Sequence, residues 1–391
     1  MQETVRYNYR LRPGAQAERA LLAEWARCRW IWNECVHQYR AGRKPTRCKL
    51  GKLLTEARRQ FPWLREGSQN AQQQMRDTYM RALQDSFRVK GRGRPVLKRR
   101  KIELPSLEYT VNGFKIKDGL LFLPKGVSVP VVWSRDLPSE PKSVRIYQDS
   151  LGYWNASFVV RRKAEQFPEA TGGIGIDWGV KTPAATTDSA YDLPYLGHRK
   201  RCAAEVARAQ RKMGRRARKR GGKLHGMQSK SYQHAARQAA RLHKKAARQN
   251  RHDGRQWARK VTADHALIAV EDFRPKFLAR STMARKAADS AVGTLKRTLI
   301  EYSTRAGRKV VLVQPAYTTM TCSGCFARTK QRLELAERTF VCRSCGMAED
   351  RDVNAARVIL AVAERGHASA EDIRPGCLRA NRQSEFGIPR L

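Results

Sequence analysis

Residues 5–11 alternate, with Val5, Tyr7, Tyr9 and Leu11 on one face and Arg6, Asn8 and Arg10 on the other. A period of two predicts a half-buried strand. After Pro13-Gly14 the period changes. Leu21, Leu22, Trp25, Cys28, Ile31, Trp32, Cys35 and Tyr39 recur at helical spacing, and Met75, Tyr79, Leu83 and Phe87 mark a second helical stripe within residues 70–89. Gly91-Arg92-Gly93-Arg94-Pro95 ends that helix, since glycine and proline both oppose its continuation. Between residues 107 and 160, short runs are divided by Asn112-Gly113, Asp118-Gly119 and Leu151-Gly152. These predict hairpins curled into a small β-barrel that also claims the N-terminal strand. The helices of residues 14–90 are then an insertion into it.

From about Thr171 the pattern is different. Ile174-Gly175-Ile176, residues 267–270 and residues 310–313 are continuous apolar runs, the mark of strands buried on both faces. A helix over 283–306 carries Ala288, Ala291, Val292, Leu295, Leu299 and Tyr302 on its stripe, and a closing helix covers 353–364. Residues 365–391 hold Gly366, Pro375, Gly387 and Pro389 without periodicity and are expected to form a mobile tail. The predicted fold class is α/β and multidomain, with no internal repeat.

Charge points to the partner. Lys and Arg number 79 against 35 acids, a net charge of +44 and far more than solubility needs. Phosphate neutralisation with counterion release is what such charge does best, so nucleic acid is the expected partner. An anionic membrane surface is the other class of polyanion. However, no run of about 18 apolar residues occurs, and Met1-Gln2-Glu3-Thr4 lacks a signal-peptide pattern. The expected location is cytosolic. Residues 199–260 hold 22 of the basic residues and only two acids, Glu205 and Asp253. Val206, Met213, Leu242 and Trp257 supply too little core for an independent bundle there. A helical pair lying on a sheet is expected, with Arg211, Lys212, Arg215, Arg216, Arg218 and Lys219 turned to nucleic acid.

Three acids sit where apolar elements begin or end. Asp177 follows Ile174-Gly175-Ile176, Glu271 ends the run 267–270, and Asp352 opens the closing helix. Each has an ordinary explanation: a turn, a solvated strand end, a helix cap. Their order and setting together match the way an RNase H-like sheet gathers carboxylates around two divalent cations. Mg²⁺ is a hard ion held by a few carboxylates, and phosphodiester hydrolysis uses one ion to make hydroxide and both to stabilise the attacking and leaving oxygens. Asp350 shares the position of Asp352 closely enough to compete with it.

Of nine cysteines, Cys322, Cys325, Cys342 and Cys345 form two CxxC pairs. Two such pairs complete one tetrahedral Zn²⁺ site with no position left for water, so the predicted zinc is structural. A redox pair is the alternative reading. Cys28 and Cys35 lie on the first helical stripe and read as core. Cys48, Cys202 and Cys377 are scattered, and the odd total argues against a disulfide framework.

Taken in order, Gly175-Ile176-Asp177-Trp178-Gly179-Val180-Lys181, Val270-Glu271-Asp272-Phe273, Pro315-Ala316-Tyr317-Thr318, the four cysteines and Asp350-Arg351-Asp352-Val353-Asn354-Ala355-Ala356 resemble the TnpB family. These are transposon-encoded nucleases ancestral to the type V CRISPR effectors, whose smallest members share the same motifs. Arg29 with Asn33, and Gly93-Arg94-Pro95 with Lys98, extend the resemblance into the first half, so that it spans roughly residues 4–362. Phe326 departs from it, standing where the first cysteine knuckle often has glycine, and Thr319 stands where serine is usual.

The resemblance implies a wedge-like β-barrel (1–13 and 91–170), a helical recognition lobe (14–90), a RuvC nuclease domain (171–314 and 348–364) and a zinc-bearing target-loading region (315–347). It also implies a bound guide RNA that pairs with target double-stranded DNA beside a short flanking motif. Asp177, Glu271 and Asp352 would be the catalytic acids of a single Mg²⁺ site that cuts both strands. Three rivals stay open: an RNase H-fold transposase, a guided DNA-binding protein that does not cleave, and a plain zinc-ribbon regulator. The last leaves Asp177 and Glu271 unexplained.

Overall fold

In the computed structural model, residues 2–99, 103–224, 226–273, 283–329 and 337–373 are described. The chain divides into two compact units, Met1–Ala164 and Glu165–Leu391.

The first unit is built on the N-terminal strand. β1 (Gln2–Leu11) buries Val5, Tyr9 and Leu11 on the face that the alternation predicts. Four helices follow: α1 (Ala15–Arg40), α2 (Arg47–Gln60), α3 (Pro62–Arg65) and α4 (Gln69–Arg88). The chain then returns through β2 (Ser106–Thr110), β3 (Lys115–Lys117), β4 (Leu120–Leu123), β5 (Val127–Val132), β6 (Ser143–Gln148) and β7 (Trp154–Lys163). All seven strands join one antiparallel sheet in the order β2-β6-β7-β1-β5-β4-β3. Asp118 and Gly119, both at positive φ, make the two-residue turn between β3 and β4.

Leu21, Trp25, Cys28, Ile31, Trp32 and Cys35 of α1 are buried together with Met75, Tyr79 and Leu83 of α4. Of the other residues of the expected stripes, Tyr39 is half-buried and two are exposed. Leu22 is 42 % exposed, and Phe87 is 61 % exposed with the Arg94 guanidinium 3.6 Å from its ring centre. Each lies at the margin of its stripe, where helical spacing no longer separates a core position from a flanking one.

The second unit sets a sheet between helices. β8 (Gly173–Asp177), β12 (Leu267–Glu271) and β13 (Lys309–Val313) run parallel, and β9 (Ala185–Thr186) pairs antiparallel with β8, in the order β13-β12-β8-β9. Between β9 and β12 lie α5 (His198–Arg201), α6 (Ala203–Arg216), a hairpin of β10 (Lys219–Arg220) and β11 (Lys223–Leu224), and α7 (Lys230–Asp264). Then come α8 (Ala284–Ser290) and α9 (Val292–Arg305), a hairpin of β14 (Thr339–Val341) and β15 (Ala348–Asp350), and α10 (Arg351–Glu364).

Strand parity sorts the two faces. Ile174, Ile176, Ile268 and Val270 pack with Trp257, Ala258 and Val261 of α7 and Val292, Leu295 and Leu299 of α9. Ala269 and Val313 pack on the other face with Val358, Ile359 and Val362 of α10.

α10 lies unusually close to β8. A Cβ on Gly175 would stand 1.9 Å from the Ala356 carbonyl oxygen, and one on Gly173 would stand 2.8 Å from Leu360 Cδ1. Steps of four on the helix therefore answer steps of two on the strand. The match is physical, since four helical residues rise about 6 Å and two strand residues about 6.6 Å. One step further brings Asp352 level with Asp177.

Two expectations change here. The single helix over 283–306 is broken at Ala291, which takes a left-handed φ of 54°. The break frees Asp289 to accept from the Tyr195 hydroxyl (2.7 Å) and from the backbone N–H of Arg199 (2.8 Å) and Lys200 (3.1 Å). The expected mobile tail begins as packed chain: Gln314 donates to the Ala368 carbonyl at 2.9 Å, and Ala370 and Ile373 are buried against α10. The rest of that tail, 374–391, lies outside the described residues.

Candidate active site

Asp177 and Glu271 end adjacent parallel strands whose register pairs Ile176 with Val270. By parity both side chains share the face of Gly175 and Ala269, which is the face that α10 covers. Both are 7 % exposed. Asp352 sits in the first turn of α10 with its side chain 19 % exposed. All three predicted acids thus gather at one end of the sheet, under the first turn of one helix. Gly179 allows the turn after β8, since a Cβ there would come 2.5 Å from the Thr182 carbonyl oxygen.

The electrostatics disfavour charge on these acids. Burial, and then the charge of Asp352, push the Asp177 carboxyl up to about 7. Burial, and then Asp177, push Glu271 up to about 8, against the opposing pull of Lys296. Lys296 is itself paired with Asp272 at 2.6 Å. Trp178 closes the site from within: its Nε1 donates to the Glu271 carbonyl at 3.2 Å and its ring meets Trp257 edge-on at 5.9 Å.

Asp350 and Asp352 divide their work. Asp350 Oδ1 accepts from the N–H of Asp352 (2.8 Å) and Val353 (3.2 Å), so its carboxylate caps α10. The Asp352 carboxylate instead meets Arg338 Nη1 at 3.3 Å and Arg351 Nε at 3.7 Å.

A raised carboxyl pKa has a consequence for stability. The folded state binds these protons more tightly than the unfolded chain, so their contribution is full below about pH 4. It is lost as pH rises through about 7 to 8. Without added Mg²⁺, wild-type protein is therefore expected to melt at a lower temperature at pH 8 than at pH 6. Asp177→Asn should raise the pH 8 value by several degrees. Thermal scans at both pH values check this, and an unchanged variant would mean that Asp177 bears no such burden.

The four cysteines converge as their spacing predicts. Cys322 Sγ and Cys345 Sγ are 3.6 Å apart, as are Cys325 Sγ and Cys342 Sγ. All four sulfurs lie within 4.8 Å of one another, the one such group of three or more potential ligands among the described residues. Tetrahedral zinc with bonds of about 2.3 Å places its sulfurs about 3.8 Å apart, so the cluster fits that ion.

Each knuckle turns on one left-handed residue, Phe326 (φ 59°) in the first and Gly346 (φ 76°) in the second. Phe326 takes a conformation that glycine adopts freely, and its ring is buried with Val358, Ile359 and Val362, below the Arg365 guanidinium at 4.2 Å. Burial of an aromatic ring offsets a strain of order 1–3 kcal/mol.

The basic residues form the expected helical pair. α6 and α7 meet along Val206, Ala209, Ala235, Ala239 and Ala246, and Arg211, Arg215, Arg216, Arg218 and Lys219 are exposed, with Lys212 half-buried. Sequence reasoning missed Lys296, Trp178, Arg338 and Asn354. Trp178 and Asn354 had a signal, their places in the runs from Gly175 to Lys181 and from Asp350 to Ala356.

The fold and site define a strongly basic, mixed α/β protein in which clustered acids and a four-cysteine cluster both lie against one helix. Residues 293–359 match the family described as Cas12f1-like, TNB domain. The chain is 27 % identical over 416 residues to a protein of Streptomyces pristinaespiralis, with 100 % of both chains covered. It is also 27 % identical over 404 residues to InsQ of Escherichia coli K12, with 96 % of each covered. Both relatives bear the name "Putative RNA-guided DNA endonuclease". A cryo-EM structure of a Cas12f1–sgRNA–target DNA complex aligns with a TM-score of 0.43 and 14 % identity, covering 91 % of this chain and 98 % of that one. The resemblance drawn from the motifs is borne out, and the similarity to the two named relatives runs over 96–100 % of the chain. No helix among the described residues is long and apolar enough to cross a membrane.

Proposed function

We propose that this protein is an RNA-guided DNA endonuclease with one RuvC-like, Mg²⁺-dependent site formed by Asp177, Glu271 and Asp352. The observation that carries the reading is the convergence of these acids on one sheet end, two of them buried and protonated more readily than ordinary carboxyls. The full-length similarity to the named endonucleases supports it. In domain terms the seven-stranded sheet is the wedge, helices α1 to α4 the recognition lobe, residues 171–314 and 348–364 the nuclease domain, and 315–347 the target-loading region.

Bound divalent cations would supply hydroxide at neutral pH and neutralise charge on the attacking and leaving oxygens. The protein's own residues prepare that site. β8 and β12 hold Asp177 and Glu271 at fixed register, so their oxygens need no reordering when a cation arrives. Trp178 and Trp257 exclude water from beneath the carboxylates. Arg338 and Arg351 pair with Asp352 and offset its charge. The exposed cations of α6 and the following hairpin hold the nucleic-acid backbone, and pairing with the guide supplies sequence choice. The reaction would cut both strands beside a short flanking motif, in the cytosol.

A +44 chain binds most nucleic acids at low salt, so binding alone tests little. The protein is expected to copurify with RNA and, at about 0.15 M salt, to cut only duplexes that match its guide. Replacing Arg211, Lys212, Arg215, Arg216, Arg218 and Lys219 with alanine should lower the log–log salt slope by up to roughly five, at about 0.9 per phosphate contact, without changing which sequence is cut. Efficient cutting of unrelated duplexes by RNA-free protein at that salt would leave an ordinary nuclease. Guided binding without cutting, with all three acids intact, would leave a repressor.

A further inference from the structure

We propose that Asn354 is a positioning residue that ties the four-cysteine cluster to the carboxylate site, so that zinc retention and Mg²⁺ binding support each other. The inference rests on reading Asp177, Glu271 and Asp352 as the Mg²⁺ site.

Asn354 is fully buried two residues beyond Asp352 on α10. Two helical residues turn about 200°, so the pair face opposite ways, Asp352 toward the end of β8 and Asn354 toward the first cysteine knuckle. Its amide is used at both ends. Oδ1 accepts from the Ser323 N–H at 2.8 Å, and Nδ2 donates to the Thr321 carbonyl at 2.9 Å. These two backbone groups flank Cys322, so one side chain brackets a cysteine from both sides. A donor and an acceptor are both required, which only an amide offers at this size.

The second knuckle reaches the same turn by another path. Cys342 and Cys345 lie in the turn between β14 and β15, β15 ends at Asp350, and Asp350 caps α10 through the N–H groups of Asp352 and Val353. The Arg338 carbonyl, just before β14, accepts from the Arg351 N–H at 2.7 Å. The turn that carries Asp352 is therefore held by the first knuckle through Asn354 and by the second through Asp350. Among the described residues the two knuckles meet at their four sulfurs, at the Ser323 hydroxyl against Met347 Sδ (3.8 Å) and around the buried Phe340 ring. An ion bound by the sulfurs sets the angle at which Asp352 faces Asp177. A coupling of this kind is reciprocal: whatever zinc adds to Mg²⁺ affinity, Mg²⁺ must add to zinc affinity.

The test follows zinc release from the full-length, guide-bound protein into a zinc-selective fluorescent chelator, with and without saturating Mg²⁺. In wild type, Mg²⁺ should slow release several-fold, and Asp177→Ala should remove that effect by emptying the carboxylate site. Asn354→Ala, and Asn354→Asp, which sets an acceptor against the Thr321 carbonyl, should release zinc at least tenfold faster and lose the Mg²⁺ effect. Both should need about tenfold more Mg²⁺ for half-maximal cleavage and bind target DNA as wild type does, since outer-shell partners are worth about 10–100-fold in metal affinity. Faster release with an unchanged Mg²⁺ requirement would reduce Asn354 to a local brace and overturn the proposal. If the variants do not fold, the wild-type measurement decides alone, and release indifferent to Mg²⁺ overturns it. Slowed release in a protein that cuts no guided target would sink the nuclease reading and leave the coupling standing.

Discussion

Asp177→Ala is expected to abolish cleavage of guide-matched double-stranded DNA in Mg²⁺ while target binding stays close to wild type, and Glu271→Ala is expected to do the same. Both side chains are buried at the sheet end with their carboxyls held well above the usual range. Carboxylates kept in so poor a solvent are stabilised as anions by a cation, and with one of the three acids missing the remaining two cannot hold ions for in-line hydrolysis. The fall should exceed the roughly 10–100-fold that loss of an outer-shell partner costs. Binding should persist because the exposed cations of α6 and the pairing of the guide are untouched.

The third acid separates cleanly. Asp352→Ala should be as inactive as Asp177→Ala. Asp350→Ala removes a helix cap worth about 0.5–2 kcal/mol and should cut at a reduced melting temperature. Gel assays of cleavage beside filter binding of the same variants give the answer, and an active Asp352→Ala with an inactive Asp350→Ala would reverse the assignment.

The second large effect is expected from the cysteines. Protein purified without chelator should contain about one zinc per chain, since four thiolates close one tetrahedral site. Structural zinc of this kind contributes on the order of 10–16 kcal/mol of apparent binding energy at neutral pH. The knuckles have little else to fold them. The buried cluster they share is Cys322, Phe340 and Cys342, two of its three members expected ligands, while Phe326 packs against α10 instead. Cys342→Ser should therefore unfold the hairpin of β14 and β15 and, because β15 leads directly into the cap of α10, depress cleavage along with the melting temperature. Elemental analysis and thermal scans measure both, and the absence of zinc from untreated protein would withdraw the claim.

What could be read before the fold was known follows from short-range rules. Alternation at residues 5–11 marked a strand face because side chains on a strand repeat every two residues. The CxxC spacings marked a metal cluster because two residues between thiols suit one tetrahedral ion. Asp177 and Glu271 were visible as acids where acids seldom sit, at the ends of continuous apolar runs. Other features escaped those rules. Nothing local distinguishes Asp350 from Asp352 until α10 is placed against β8, and nothing local breaks the helix at Ala291, whose left-handed turn answers hydrogen bonds to Arg199 and Lys200 some ninety residues away. Leu22 and Phe87 had the right spacing and the wrong neighbours.

By itself, then, the sequence determined the chemistry available: which strands carry acids, which cysteines pair, and where the positive charge lies. Periodicity, ligand spacing and composition are properties of a chain that need no partner segment. The tertiary structure decided which of those groups meet. Parallel pairing of β8 and β12 set Asp177 beside Glu271, the bare backbone of Gly175 let α10 close over both, and Asn354 joined that helix to a cysteine knuckle some thirty residues earlier in the chain. Register, close approach and buried hydrogen bonds are relations between distant segments, and they exist only once the chain has packed.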